Sequence, residues 1–184
     1  SDLRKEVSAR RDLLNAADVV VLCLPDEAAR EAVALIENKS TRVIDASSAH
    51  RVAPDWVYGF AEMVEEQREA IASAARVTNP GCYPTGMIAL VRPLVEAGMI
   101  PRIWPITVSA VSGYSGGGRS MIAEFEDDAS PAFTRDAFRI YGLPLVHKHV
   151  PEMQLYAGLD TRPLFAPAVG RYYKGMIVEV PLQL

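Results

Sequence analysis

Asp18-Val19-Val20-Val21-Leu22-Cys23-Leu24-Pro25-Asp26-Glu27 decides the fold. The run from Val19 to Leu24 is apolar throughout and rich in β-branched residues, which suits a strand buried on both faces of a parallel sheet. Pro25 breaks the run. Asp26 and Glu27 then place acids in the first turn of a helix, where they complement its positive end. That helix is predicted to run through about Asn38, with Ala29, Val33 and Ile36 on its inner side. Upstream, residues 4–17 read as a polar helix. Downstream, Arg42-Val43-Ile44-Asp45-Ala46 is a second strand, residues 62–75 a further helix, and Arg76-Val77-Thr78 a short third strand. Strand–helix–strand–helix–strand is a doubly wound α/β pattern.

The third strand leads into Asn79-Pro80-Gly81-Cys82-Tyr83-Pro84-Thr85. Pro80 and Gly81 end the strand, and the apolar run from Thr85 to Val91 reads as a helix, so Cys82 stands at a helix N-terminus. Unpaired backbone N–H groups and the helix dipole favour thiolate there, and the thiolate is the nucleophile. The same N–H groups can hold an oxyanion formed by attack on a carbonyl. The competing reading is an inert cysteine in a strand–turn–helix joint. Beyond Cys82 the pattern changes. Residues 103–111 read as a strand with mixed alternation and residues 112–120 as a glycine-rich loop. Residues 164–169 and 176–180 read as antiparallel strands. The boundary falls near Cys82, giving domains 1–81 and 82–184, the second of α+β type. Ligand sites favour such junctions.

Three further clusters carry chemistry. Pro25 and the stretch Asp45-Ala46-Ser47-Ser48-Ala49-His50-Arg51 lie at C-terminal ends of predicted parallel strands, the ligand-binding edge of open α/β sheets. Ser47 and Ser48 offer hydroxyls and Arg51 a fork for an anion; a capped turn with a solvent-facing arginine is the alternative. Val111-Ser112-Gly113-Tyr114-Ser115-Gly116-Gly117-Gly118-Arg119-Ser120 has few side chains, so its backbone can approach a ligand closely. It is neither a GxGxxG fingerprint nor a P-loop, and a flexible loop explains it equally well. In His147-Lys148-His149-Val150-Pro151-Glu152 an extended backbone puts both histidines on one side and Lys148 on the other. One histidine suits acid–base work near neutral pH, and Glu152 can orient it. Two ring nitrogens with no third ligand make a metal site a weak reading, and none is expected.

Composition narrows the classes. A 49% hydrophobic content in 184 residues is enough for one good-sized core or two small ones. The net charge of -4 comes with scattered cations and no basic stripe, which argues against nucleic acid. No apolar run approaches the roughly 20 residues that span a bilayer. The N-terminus is not a signal peptide. The two cysteines, Cys23 and Cys82, make no disulfide framework, and Cys23 is expected in the core. A reducing, cytoplasmic location follows. The abrupt polar start and the strand-like end give the expectation of a piece of a longer protein.

Together the Asn79–Thr85, Val111–Gly118 and His147–Glu152 motifs, in that order, resemble the N-acetyl-gamma-glutamyl-phosphate reductase family over nearly the whole chain. The stretch from Asp45 to Arg51 is similar to a shorter subgroup, with His50 where the longer one has phenylalanine. The aspartate-semialdehyde dehydrogenases share the cysteine motif loosely. The resemblance implies part of a Rossmann-type parallel-sheet domain followed by a glyceraldehyde-phosphate-dehydrogenase-like α+β domain that also forms oligomers, a dimer or tetramer, with both ends truncated. It implies NADPH/NADP as cofactor and an acyl phosphate as substrate, reduced through a thioester on Cys82. His149, with His147 as substitute, is the implied acid–base group. Arg51, Asn79, Ser112, Tyr114, Lys148 and Glu152 are the implied substrate contacts. Pro25, Ser47, Ser48, Gly113, Gly116 and Gly117 would lie along the cofactor. The family's glycine-rich pyrophosphate turn would precede Ser1. Three alternatives remain: an aspartate-semialdehyde dehydrogenase-like reductase, a non-catalytic oligomerisation or binding domain, and a cysteine hydrolase using Cys82 and His149, which would leave the Rossmann-like first part unexplained.

Overall fold

The computed structural model describes residues 6–183 and divides into two compact units, residues 1–85 and 86–184. Residues 4 and 5 of the predicted first helix lie outside the described residues.

The first unit carries a four-stranded, wholly parallel sheet in the order β1-β2-β4-β3. Its strands are β1 (Val19–Leu22), β2 (Arg42–Asp45), β3 (Val57–Tyr58) and β4 (Arg76–Thr78). Three helices accompany them: α1 (Val7–Ala16), α2 (Asp26–Ala34) and α3 (Gln67–Ser73). Val20, Leu22, Val43, Ala29, Ala32 and Trp56 form the core, with Leu14, Val33 and Ile36 packed against it. β1 is not buried on both faces as expected. Its residues alternate, and Val19 and Val21 are exposed together with Ile44 of β2. β1 stops at Leu22, so Cys23 is exposed beyond the strand end rather than in the core.

Two helices are shorter than their sequence pattern. The predicted 62–75 helix forms only over α3, whose C-terminal carbonyls at Ala72 and Ala74 accept hydrogen bonds from Arg42 Nη2 at 2.7 and 2.9 Å. α2 ends before residues 37 and 38, whose backbone N–H groups donate to Asn15 Oδ1, both at 2.7 Å. A side chain of α1 thus takes the donors that would have continued α2.

In the second unit the sheet order is β6-β7-β5-β8. The strands are β5 (Thr107–Gly113), β6 (Phe138–Ile140), β7 (Leu164–Gly170) and β8 (Met176–Glu179). β7 runs parallel to β5, while β8 is antiparallel to β5 and β6 antiparallel to β7. The two strands read at 164–169 and 176–180 therefore flank β5 on opposite sides. The predicted strand at 103–111 starts later and runs further, through the first two residues of the supposed glycine loop. α4 (Cys82–Glu96) spans the unit boundary, and α5 (Gly118–Glu126) and α6 (Val150–Tyr156) complete the helices. Arg92 of α4 donates to the Tyr156 carbonyl at the end of α6, 2.8 Å away. Met87, Ile88, Val91, Val108, Phe165, Val169, Val150 and Met153 are fully buried, so this core draws on α4, β5, β7 and α6.

Candidate functional site

Register in the first sheet brings four strand ends to one level: Leu22 opposite Asp45, Asp45 opposite Thr78, and Tyr58 opposite Thr78. Pro25 caps α2 just past this edge. Asp45 is completely buried. Its Oδ1 accepts the Ser47 N–H at 2.9 Å, its Oδ2 accepts the Ser47 hydroxyl at 2.8 Å, and His50 Nδ1 lies 2.6 Å from Oδ2. Ser48 turns to the other side, where its hydroxyl donates to Asp26 Oδ2 at 2.8 Å. The serine hydroxyls expected along a cofactor are thus engaged within their own loop and with α2. Arg51 is buried, not solvent-facing, and its Nε donates to the Asn79 carbonyl at 3.1 Å. The Asn79 N–H donates to the Asp45 carbonyl at 2.7 Å.

Cys82 is the first residue of α4 and is exposed. The helix begins three residues earlier than the apolar run announced, because the Gly81 carbonyl accepts both the Thr85 N–H (3.0 Å) and the Thr85 hydroxyl (2.9 Å). Pro84 fits within this first turn, where an N–H has no intrahelical partner to lose. Gly81 is buried under the turn. Asp45, His50 and Thr78 escaped the sequence-based selection. Thr78 is completely buried and its Oγ1 has no hydrogen-bond partner among the described residues. An acid ending an apolar strand was the available signal for Asp45; nothing local marked Thr78.

In the second unit the glycine stretch is not a loop. Ser112 and Gly113 end β5, residues 114–117 form one 3₁₀ turn, and α5 starts at Gly118, whose φ is 69°. A Cβ on Gly113 would stand 2.6–2.7 Å from backbone atoms of Tyr172, Tyr173 and Lys174. This glycine admits the chain's own backbone. Gly116 and Gly117 lie in the 3₁₀ turn. Tyr114 donates from its hydroxyl to Glu126 Oε1 at 2.8 Å, which raises its pKa, and its ring stacks on Phe125 at 5.0 Å.

The His147–Glu152 stretch is a turn entering α6, not an extended chain, so strand alternation does not explain its side chains. His149 caps α6 and is buried; Glu152 is buried one turn on; Lys148 is exposed. The two imidazoles still meet edge to face, 4.7 Å between centroids. His147 Nδ1 accepts the His149 backbone N–H at 3.2 Å. Burial first and the Lys148 charge second lower the His147 pKa from its ordinary 6.5. His147 and Lys148, with Gln154 and Arg162, line an open cleft of about 380 Å³ that His149 does not border. Among the described residues no three His, Cys, Asp or Glu side chains cluster as a metal site, and no helix is long and apolar enough to cross a membrane.

Residues 2–74 match the family described as semialdehyde dehydrogenase, NAD binding domain, and residues 82–184 the semialdehyde dehydrogenase dimerisation domain. Curated proteins named N-acetyl-gamma-glutamyl-phosphate reductase are similar over 98% of the chain: 59% identity for one from Brucella anthropi and 58% for one from Brucella ovis. The chain spans 58% and 59% of their respective lengths. Among solved structures, aspartate semialdehyde dehydrogenase II from Vibrio cholerae superposes with a TM-score of 0.68 at 18% identity, over 91% of this chain and 56% of that one. Aspartate semialdehyde dehydrogenase from Francisella tularensis does so with 0.63 at 13%, over 95% and 61%. At these identities the structural likeness speaks for the fold alone.

Proposed function

The chain belongs to the semialdehyde dehydrogenase family, and from that premise we propose that it serves the NADPH-dependent reduction of N-acetyl-gamma-glutamyl phosphate to N-acetylglutamate 5-semialdehyde, a step of arginine biosynthesis. The observation that carries the reading is Cys82, exposed at the first position of α4 and three residues past Asn79, to which the buried Arg51 is bonded. The name of the curated relatives supplies the substrate.

In this reading the Cys82 thiolate attacks the γ-carbonyl carbon, the bond from that carbon to the phosphate oxygen breaks, and phosphate leaves. Arg51 steadies the departing anion through its fork of donors. A nicotinamide dinucleotide bound along the strand ends would supply the hydride that reduces the thioester. The level strand ends fit such a group, and Pro25, Ser47 and Ser48 would flank it. His149 handles the proton at the oxygen of the resulting thiohemiacetal, and the carbon–sulfur bond then breaks to release aldehyde and thiolate. Asn79, Ser112, Tyr114, Lys148 and Glu152 are retained as substrate contacts, and Gly113, Gly116 and Gly117 as backbone beside the cofactor. The domains would be 1–81 for the nucleotide and 82–184 for catalysis and oligomer contacts. The location would be the cytoplasm.

The test is phosphate-dependent reduction of NADP⁺ by N-acetylglutamate semialdehyde, with NAD⁺ and with aspartate semialdehyde as controls. Turnover with the N-acetylated aldehyde alone supports the reading. Turnover with aspartate semialdehyde alone transfers the substrate to the neighbouring class, and silence with both in the folded protein refutes catalysis.

A further inference from the structure

Four residues at the strand ends of the first unit close a ring of contacts. The Asp45 carbonyl accepts from Asn79 N–H at 2.7 Å, the Asn79 carbonyl accepts from Arg51 Nε at 3.1 Å, Arg51 follows His50 in the chain, and His50 Nδ1 returns to the Asp45 carboxylate at 2.6 Å. Three of its members are largely shielded, Asp45 with no exposed surface, Arg51 9% exposed and the His50 side chain 12%, while Asn79 is exposed. His50 is held from its face as well. Its imidazole lies on the buried Trp56 ring at 4.3 Å between centroids and 15° between planes.

A carboxylate only accepts, so the hydrogen of this short contact is on His50 Nδ1. The stack fixes where the ring lies, and the hydrogen bond fixes its rotation on Trp56. With His50 pinned at two points, the backbone from which the Arg51 side chain leaves for the Asn79 carbonyl is held in place as well. Bonding Nε sets the plane of the whole fork. An apolar ring at position 50 would keep the Trp56 stack and the packing but lose the tie to Asp45. What distinguishes a histidine here is therefore orientation rather than burial.

We propose that His50 is a positioning residue: through Asp45 it holds the Arg51 fork beside Asn79, three residues before Cys82, and thereby sets the affinity of this edge for a phosphate or carboxylate group. The inference rests on the reading of Arg51 as the anion-holding residue.

Inorganic phosphate is the probe, titrated against the whole chain by calorimetry, with melting and far-UV dichroism as fold controls. Arg51→Ala should weaken phosphate binding roughly tenfold or more, as expected for loss of a charge-assisted fork. His50→Phe should weaken it roughly tenfold, within the range of coupling between touching residues. The double variant should bind no more weakly than Arg51→Ala, because a positioner has nothing left to position. His50→Asn, whose amide N–H can stand where Nδ1–H stood, should recover most of the loss. Unchanged binding in Arg51→Ala refutes the Arg51 reading itself. Loss in Arg51→Ala with wild-type binding in His50→Phe, or an additive double variant, overturns the His50 inference alone. If His50→Phe does not fold, His50→Gln places its donor one methylene farther out. Weaker binding than in His50→Asn then supports positioning, and equal binding overturns it.

Discussion

Cys82 and His147 show how one residue's surroundings decide what a substitution does. Cys82 is exposed, so its thiol contributes little packing. Cys82→Ser should abolish phosphate-dependent NADP⁺ reduction while changing stability by less than about 0.5 kcal/mol, as for other exposed positions. Substantial residual turnover, measured beside a melting curve, would remove Cys82 from the nucleophile's role. His147 is bound into the structure instead. Burial, and then Lys148, lower its pKa from 6.5. Below that ordinary value the unfolded chain holds more protons than the folded one, so stability rises with pH and is lost as the pH falls toward the folded value. The geometry has the same sign, because a protonated ring has no acceptor left for the His149 N–H. His147→Asn keeps an acceptor for the N–H two residues on and has no proton to bind. Unfolding free energy measured between about pH 5 and 7, where a histidine titrates, should therefore slope less steeply in His147→Asn than in the wild type. Equal slopes would show that the buried imidazole does not control this window.

At the scale of elements, much of α2's boundary is written in a residue of α1. Asn15 Oδ1 accepts the backbone N–H groups of residues 37 and 38, and its Nδ2 donates to the Arg11 and Leu35 carbonyls, each at 2.8 Å. Asn15→Ala removes a set of bonds of which only the one to Leu35 is part-buried, so water can reach most of the groups left behind, and a loss of about 0.5–1.5 kcal/mol is expected in chemical denaturation. A loss below the error of the fit would mean that water replaces the amide without cost. The same contact explains what the sequence hid. Periodicity carried α2 on toward Asn38, because the competing acceptor lies 22 residues upstream of Glu37 and leaves no local trace. β1, β2 and β4 were legible from their apolar β-branched runs, and the parallel sheet followed from their alternation with helices. β3, β6 and α6 have two, three and seven residues, too few for a period to show. The glycines from Gly113 to Gly118 read as a loop because their reason is remote: Gly113 must clear the backbone at residues 172–174. Cys82 was legible at its helix terminus, whereas the burial of Arg51 and the Asp45–His50 tie depend on pairing across the sheet.

For the whole molecule, the second unit's outer strands, β6 and β8, carry the argument. Phe138 and Ile140 of β6 are 56% and 52% exposed, and Ile177 of β8 is 59% exposed. Outer strands with apolar side chains and unsatisfied edges invite another chain, and this stretch lies within the match to a dimerisation domain. A second copy of the chain is the occupant consistent with both facts. The net charge of -4 is too small to oppose such an association strongly at ordinary ionic strength. Placing a cation in the apolar contact should oppose it directly, since an unpaired charge there must be desolvated. Ile177→Lys should therefore shift the sedimentation coefficient toward that of a single chain at concentrations where the wild type is associated. Because Ile177 is exposed within one chain, the fold itself should lose less than about 0.5 kcal/mol. A wild type that sediments as a single chain throughout, or a variant that associates as the wild type does, would place the dimer contact away from β8.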